Sequence, residues 1–145
     1  ATRPLMHRGV LQAEGIAPAI AAYGPERIIS STAVRCRETV APLAALIGVE
    51  VREIDGISQD SYGTAASTVE KVIAKRLRRA QTVVLCSHGP VIPELVRAIA
   101  NATTGGSTQV LSRAASLDTG DFAVIHIAAG PRPRLVATEF HSPAI

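Results

Sequence analysis

A chain of 145 residues, 47% of them apolar, is long enough for one domain that buries roughly two thirds of its unfolded surface. Only four residues are aromatic (Tyr23, Tyr62, Phe122 and Phe140), so the core has to be built from Ala, Val, Leu and Ile, as in layered α/β proteins. The formal charge of +3 comes largely from Lys71, Lys75, Arg76, Arg78 and Arg79 on one expected helix without interleaved aromatics, which argues against nucleic-acid binding and suits a small anionic substrate.

Taken in order, Pro4 to Ala22 reads as a helix with apolar positions Leu11, Ile16, Ala19 and Ile20, bent or delayed by Gly15 and Pro18. Arg27–Ser31 is a short strand. A helix from Ala33 to Ile47 follows, stopped by Gly48, and Val49–Ile54 alternates as a strand. Asp55–Gly63 is a polar loop, and Ala65–Ala80 a third helix. The continuous apolar run at Thr82–Cys86 has the β-branched content of a strand buried on both faces. It breaks at Ser87-His88-Gly89-Pro90 and resumes with helical spacing at Val91, Ile92, Leu95, Val96 and Ile99. Thr108–Arg113 is a short element of undecided type. Asp121–Ala128 and Leu135–Phe140, joined through Gly130-Pro131-Arg132-Pro133, form a hairpin. Strands separated by helices predict a three-layer α/β domain, its sheet mostly parallel with helices on both faces and an antiparallel edge hairpin at the C-terminus.

No apolar run approaches the roughly 20 residues of a membrane-spanning helix, and the start does not resemble a signal peptide. Cys36 and Cys86 lack metal-ligand spacing and read as reduced core thiols of a cytoplasmic protein. Neither a metal nor another cofactor is implied.

Three loops carry the polar groups that chemistry would need. His88 lies between a strand and a helix N-terminus, where free N–H groups and the helix dipole favour an anion. It is equally readable as a turn histidine bonded to a neighbouring carbonyl. Arg35 falls in the first turn of a helix, an unfavourable place for a cation unless an anion neutralises it. Its fork beside helix N–H groups suits phosphate, whereas Arg37 reads as surface charge. Asp60, in Ser58-Gln59-Asp60-Ser61-Tyr62-Gly63, is either a general acid or a cap of the next helix. A histidine, an arginine and a carboxylate fit phosphoryl chemistry by positioning and charge stabilisation.

The ordered motifs Ser30-Ser31-x-x-x-Arg35-x-x-x-Thr39 and Val84-Leu85-Cys86-Ser87-His88-Gly89-x-Val91-Ile92 resemble the histidine phosphatase superfamily, of phosphoglycerate mutase-like fold. Arg3-Pro4-Leu5-x-x-Arg8-Gly9-x-x-Gln12-Ala13 is similar to that family's first-helix opening. Val91-Ile92-Pro93 and Phe140-His141-Ser142-Pro143 look most like the phosphatase domain that follows a Nudix domain in actinobacterial MutT-like proteins. The resemblance implies that His88 donates to a transferring phosphoryl group and that Arg35 binds its oxygens. Ser31, Thr39, Ser87, Gly89 and Gln59 would line the phosphate pocket.

Two departures from the family pattern follow. The family nucleophile is a histidine in an Arg-His-Gly or Arg-His-Ala motif ending the first strand, and neither motif occurs here; His7, at the helix entry, reads as surface. That strand is interior in the family, so without it two neighbouring strands would have unpaired edges and the core a gap. The expectation is a domain whose nucleophile strand lies in a preceding segment or in another chain. Gln59 stands where the family commonly has glutamate, which leaves Asp60 as acid or a leaving group needing little help. The leading expectation is a metal-independent phosphatase acting on a small phosphorylated compound such as a nucleotide. The alternatives are a phosphohistidine protein phosphatase and an inactive domain that binds phospho-ligands or stabilises a Nudix partner.

Overall fold

The computed structural model describes residues 2–58 and 66–144. Its elements are α1 (His7–Ala21), β1 (Arg27–Ser30), α2 (Val34–Ile47), β2 (Val51–Glu53), a 3₁₀ turn (Asp55–Ile57), α3 (Ala66–Arg79), β3 (Val83–Cys86), α4 (Ile92–Ala102), α5 (Thr108–Ala114), β4 (Phe122–Ala128) and β5 (Arg134–His141). The undecided segment after Ser107 is therefore a helix, α5, whose first turn Ser107 caps by accepting from the Val110 N–H at 3.2 Å.

β1 lies between β2 and β3, parallel to both. Its alternation divides the core. Ile28 points into a cluster with Ala17, Val40 and Leu43, on the side of α1 and α2. Ile29 points into a cluster with Ile57, Val69, Ile73, Val91, Leu95 and Ala98, on the side of α3 and α4. Helices therefore cover both faces of a parallel sheet, as the pattern of elements requires.

Helix α1 starts at His7 rather than Pro4 because the Leu5 N–H is taken by Glu38 Oε2 at 2.6 Å, which holds the lead-in extended across to α2. Its buried stripe is Ala13, Ile16 and Ala17, while Leu11 and Ala19 are exposed. Small residues at the contact let α1 and α2 approach closely. Gly48 ends α2 in the left-handed conformation (φ 70°), its N–H returning to the Ala44 carbonyl.

One expectation is corrected. β3, read as buried on both faces, is only half-buried at all four residues. Among the described strands it pairs with β1 alone, so its outer edge is open. The hairpin is likewise a separate two-stranded antiparallel sheet, with no described ladder to β3. Thr104 bridges the far side of β5 at Arg134, which leaves the outer edge of β4 open as well. Among the described residues, β3 and β4 thus each present an unpaired edge.

Side-chain contacts from both helical layers hold the hairpin. From α5, the Arg113 guanidinium stacks over Phe140, 4.1 Å from the ring centroid. Just past α1, Tyr23 donates its hydroxyl to Glu139 Oε1 at 3.0 Å, and His126 Nε2 lies 2.7 Å from Glu139 Oε2. The His126 hydrogen bond, then that of Tyr23, holds the Glu139 carboxyl below its ordinary value of 4.5. A lowered folded-state pKa stabilises the fold above the unfolded value, and that contribution is lost as pH falls through the folded value. Urea midpoints measured from neutral pH downward are expected to fall more steeply below about pH 4.5 for the parent than for Glu139→Gln. Identical pH profiles would show that Glu139 does not hold the hairpin.

Candidate functional site

β1 and β3 run parallel and end side by side, and the chain just beyond both carboxyl ends carries the polar groups. The Ser31 N–H donates to the Cys86 carbonyl at 2.9 Å, extending the ladder one residue past β1. Ser31 is thereby fixed next to the Ser87-His88 turn. His88 is 6% exposed, and its carbonyl accepts from the N–H groups of Val91 and Ile92, which anchors the turn to the start of α4.

The histidine ring has a defined tautomer. Arg35 Nη2 lies 3.2 Å from Nδ1, and a guanidinium can only donate, so Nδ1 accepts and the proton is on Nε2. Nε2 then donates to Ser31 Oγ at 2.8 Å. Ser31 Oγ also accepts from the Ala33 N–H at 3.1 Å, and so donates to Ser58 Oγ at 2.9 Å. Ser58 in turn accepts from the Thr32 N–H and donates to Thr32 Oγ1 at 3.0 Å. Thr32 Oγ1 closes the chain on Asp55 Oδ1 at 3.1 Å. Four hydroxyl and imidazole groups thus form one directed path from the histidine to a carboxylate.

Cys36 belongs to the same site. Its Sγ lies 3.5 Å from His88 Nε2 and 3.6 Å from the Ser87 carbonyl. Hydrogen bonding to Cys86 chiefly lowers the Cys36 thiol below its usual range, with Ser31 and the Arg35 charge adding to it, while burial opposes. The same contact, with burial, raises Cys86.

Two helix starts face this point. Ala33 precedes α2 without a side-chain cap, and the first turn of α2 carries no acidic residue to answer Arg35. Val91 precedes α4, also without a side-chain cap. At α4 the N–H groups of Val91, Ile92 and Glu94 are already bonded to carbonyls and Pro93 has none, so the uncapped start of α2, with a guanidinium and an imidazole, is the candidate receptor for a tetrahedral oxyanion. The Arg35–His88 contact joins two groups that would both face such an anion.

The residues singled out from sequence fall into three groups. Arg35, His88 and Ser31 are brought together. Thr39 lies one turn along α2 and donates to the Arg35 carbonyl at 2.7 Å, while Ser87 Oγ donates to the Ile57 carbonyl and Gly89 sits exposed at the turn. Gln59 and Asp60 lie outside the described residues. Sequence reasoning missed Ser58, Thr32, Asp55 and Cys36 as site members. The signal available was that the loop after β2, like those after β1 and β3, leaves the carboxyl edge of a parallel sheet. No group of three or more His, Cys, Asp or Glu among the described residues is placed to hold a metal ion, and no described helix is long and apolar enough to cross a membrane.

A parallel sheet with helices on both faces, and a histidine–arginine cluster at its carboxyl edge, defines a layered α/β domain with a candidate anion site. The model of the histidine phosphatase superfamily (branch 1) matches residues 2–78, and the chain belongs to that superfamily. It is similar to the 8-oxo-(d)GTP phosphatase of Mycolicibacterium smegmatis, at 30% identity over 119 residues. That match takes in 76% of this chain and 37% of the relative, so the chain spans about a third of the length of this curated relative. Among solved structures it is similar to a protein assigned as the phosphohistidine phosphatase SixA of Agrobacterium tumefaciens. There the TM-score is 0.70 at 28% identity, covering 98% of this chain and 85% of the other. A mycobacterial glucosyl-3-phosphoglycerate phosphatase shares the fold at TM-score 0.70 and 16% identity, over 94% and 87% of the two chains.

Arg35→Ala and His88→Ala are each expected to weaken vanadate or tungstate binding by about tenfold or more, the loss of one charge-assisted hydrogen bond, while circular dichroism stays native. Calorimetric titration checks this; unchanged affinity in both variants would contradict the site. Ser31→Ala leaves the buried His88 Nε2–H and the Ala33 N–H without their acceptor. It is expected to cost about 1–3 kcal/mol of stability in urea unfolding, and an unchanged midpoint would show that the path is not holding the turn.

Proposed function

We propose that this chain forms the phosphoryl-binding part of a metal-independent phosphatase that acts on a small phosphorylated substrate, with a nucleotide as the leading class. The single observation that carries the proposal is the Arg35–His88–Ser31 cluster at the uncapped start of α2. The nucleotide class rests on the similarity to an enzyme named as an 8-oxo-(d)GTP phosphatase.

In the proposed reaction, an imidazole nitrogen from a histidine outside residues 1–145 attacks phosphorus as the bond to the leaving oxygen breaks. A phosphohistidine forms, and water then attacks phosphorus, breaks the P–N bond and releases inorganic phosphate. Arg35 would hold two equatorial oxygens by its fork, and the N-terminal end of α2 would stabilise their charge. His88 Nδ1, which now accepts from Arg35, would face the phosphoryl group and donate to it once protonated. Asp60 would protonate a leaving group that needs it.

The open edges of β3 and β4 support a place for the strand that carries the nucleophile. β3 is apolar throughout, yet no residue of it is fully buried, and a strand added there would cover it. A second reading, a phosphohistidine protein phosphatase, is favoured by the SixA likeness over 98% of this chain.

The test uses the complete gene product in which residues 1–145 occur, with a chelator present. Turnover of nucleoside diphosphates and triphosphates is compared with that of a phosphohistidine-bearing protein. An acid-labile phosphoenzyme and preference for the nucleotide are expected, with His88→Ala lowering kcat by about 10²–10⁴. Preference for phosphohistidine selects the second reading. If no substrate turns over and tungstate still binds, the domain is a binding module.

A further inference from the structure

At the end of the sheet opposite Ser31 and His88, a buried cation has no described partner. The core-facing stripe of α3 is Val69, Ile73 and Arg76, so a guanidinium stands where the helical spacing calls for an apolar side chain. Arg76 is 7% exposed, and its Nε and Nη1 have no hydrogen-bond partner among the described residues. A buried charge without a partner is among the least favourable features a fold can carry.

Other cations converge on the same place. Ile73 and Ile29 share a core cluster, which puts α3 over the face of β1 that carries Ile29. Strand alternation puts Arg27 on that face, and the parallel register Ile29↔Arg52 adds Arg52 beside them. Lys75 precedes Arg76 on α3, and Arg79 follows it one turn later. Arg27 Nε donates to Gln81 Oε1 at 2.9 Å, which holds Arg27 beneath the end of the helix. These like charges repel one another. Arg52 is the largest cause that lowers Lys75, while Arg76 is lowered by burial first and then by Arg27, Arg52 and Arg79. A cavity of about 270 Å³ opens beside Arg27 and Arg52, with Glu26, Val49 and Glu50 also lining it.

We infer that these residues form a second anion-binding site, distinct from the pocket at His88, which takes a polyphosphate group in the cavity lined by Arg27 and Arg52, while Arg76, which does not line that cavity, adds its buried charge from behind them. Multiple negative charge is required because five cations meet the two carboxylates Glu26 and Glu50. A guanidinium fork fits phosphate oxygens better than it fits a spherical ion. The group is either free polyphosphate or the phosphate chain of a nucleotide.

The experiment titrates the complete gene product with sodium tripolyphosphate, and in parallel with a nucleoside triphosphate, at constant ionic strength. All proteins carry Arg35→Ala together with His88→Ala, which removes both anion ligands of the pocket at His88. One site is expected to remain, and Arg76→Leu should weaken it by about tenfold or more. Arg78→Ala, on the exposed face of the same helix, should leave it unchanged. Equal affinity for the two ligands assigns the site to polyphosphate, and tighter binding of the nucleoside triphosphate assigns it to a nucleotide. If Arg76→Leu does not fold, Arg27→Ala and Arg52→Ala, both at exposed positions, carry the same expectation. Absence of binding in the background of Arg35→Ala with His88→Ala, undiminished affinity in the Arg76 variant (or in the Arg27 and Arg52 variants), or equal weakening by Arg78→Ala would overturn the inference.

Discussion

The hydrogen bond from His88 Nε2 to Ser31 Oγ joins the ends of two neighbouring parallel strands, and the rest of the site depends on it. One partner follows β1 and the other follows β3, so the site can form only when those strands lie side by side in register. Its direction is fixed from the other side of the ring, because Arg35 offers only donors to Nδ1. From Ser31 the order passes to Ser58, Thr32 and Asp55, each hydroxyl using its single proton once. Each such bond adds only about 0.5–1.5 kcal/mol net, but leaving one of the buried members, Ser31, Ser58 or His88, unpaired costs more than making the bond returns. The network therefore acts less as a source of stability than as a constraint on where the imidazole points.

Charge is distributed along the sheet to match. At the carboxyl ends, Arg35 meets the uncapped start of α2 with no acid in that turn, so the positive ends of the protein's own dipoles point where an oxyanion would sit. At the amino ends, Arg27 and Arg52 approach a buried Arg76. The proposed phosphoryl transfer uses the first arrangement and not the second, which is why the second carries a separate inference. The open edges of β3 and β4 are of a third kind. They concern backbone rather than charge, and they leave the apolar β3 half-exposed beside the buried β1.

Much of this was legible in the sequence, for identifiable reasons. Gly48 and the apolar run before Ser87 marked element ends through backbone physics that acts locally. Arg27–Ser31 was legible as a short strand, but that both its faces are covered, at Ile28 and at Ile29, became visible only in the fold. Arg35 stood out because a cation in a first helical turn is unfavourable without an anion, and His88 because it follows a strand at a helix start, although a turn histidine was an equal reading of it. Ser58, Thr32 and Asp55 did not, since a serine in a polar loop is ordinary until the fold brings it to within 2.9 Å of another from 27 residues away. Cys36, without metal-ligand spacing, reads from sequence as a core thiol, and in the fold that buried position lies against His88. The half-exposure of β3 was invisible because a strand's own residues do not report how many neighbours pair with it. Helix α1 starts late because of Glu38, which is more than thirty positions away.

The most direct measurement is a crystal structure of the complete gene product soaked with tungstate, whose anomalous signal locates the metal without reference to the protein phases. Density between the Arg35 guanidinium and His88 Nδ1, at the start of α2, is the predicted result. Tungstate bound elsewhere, with Arg35 still on His88 and the space before α2 empty, would contradict the assignment of this site to phosphoryl binding.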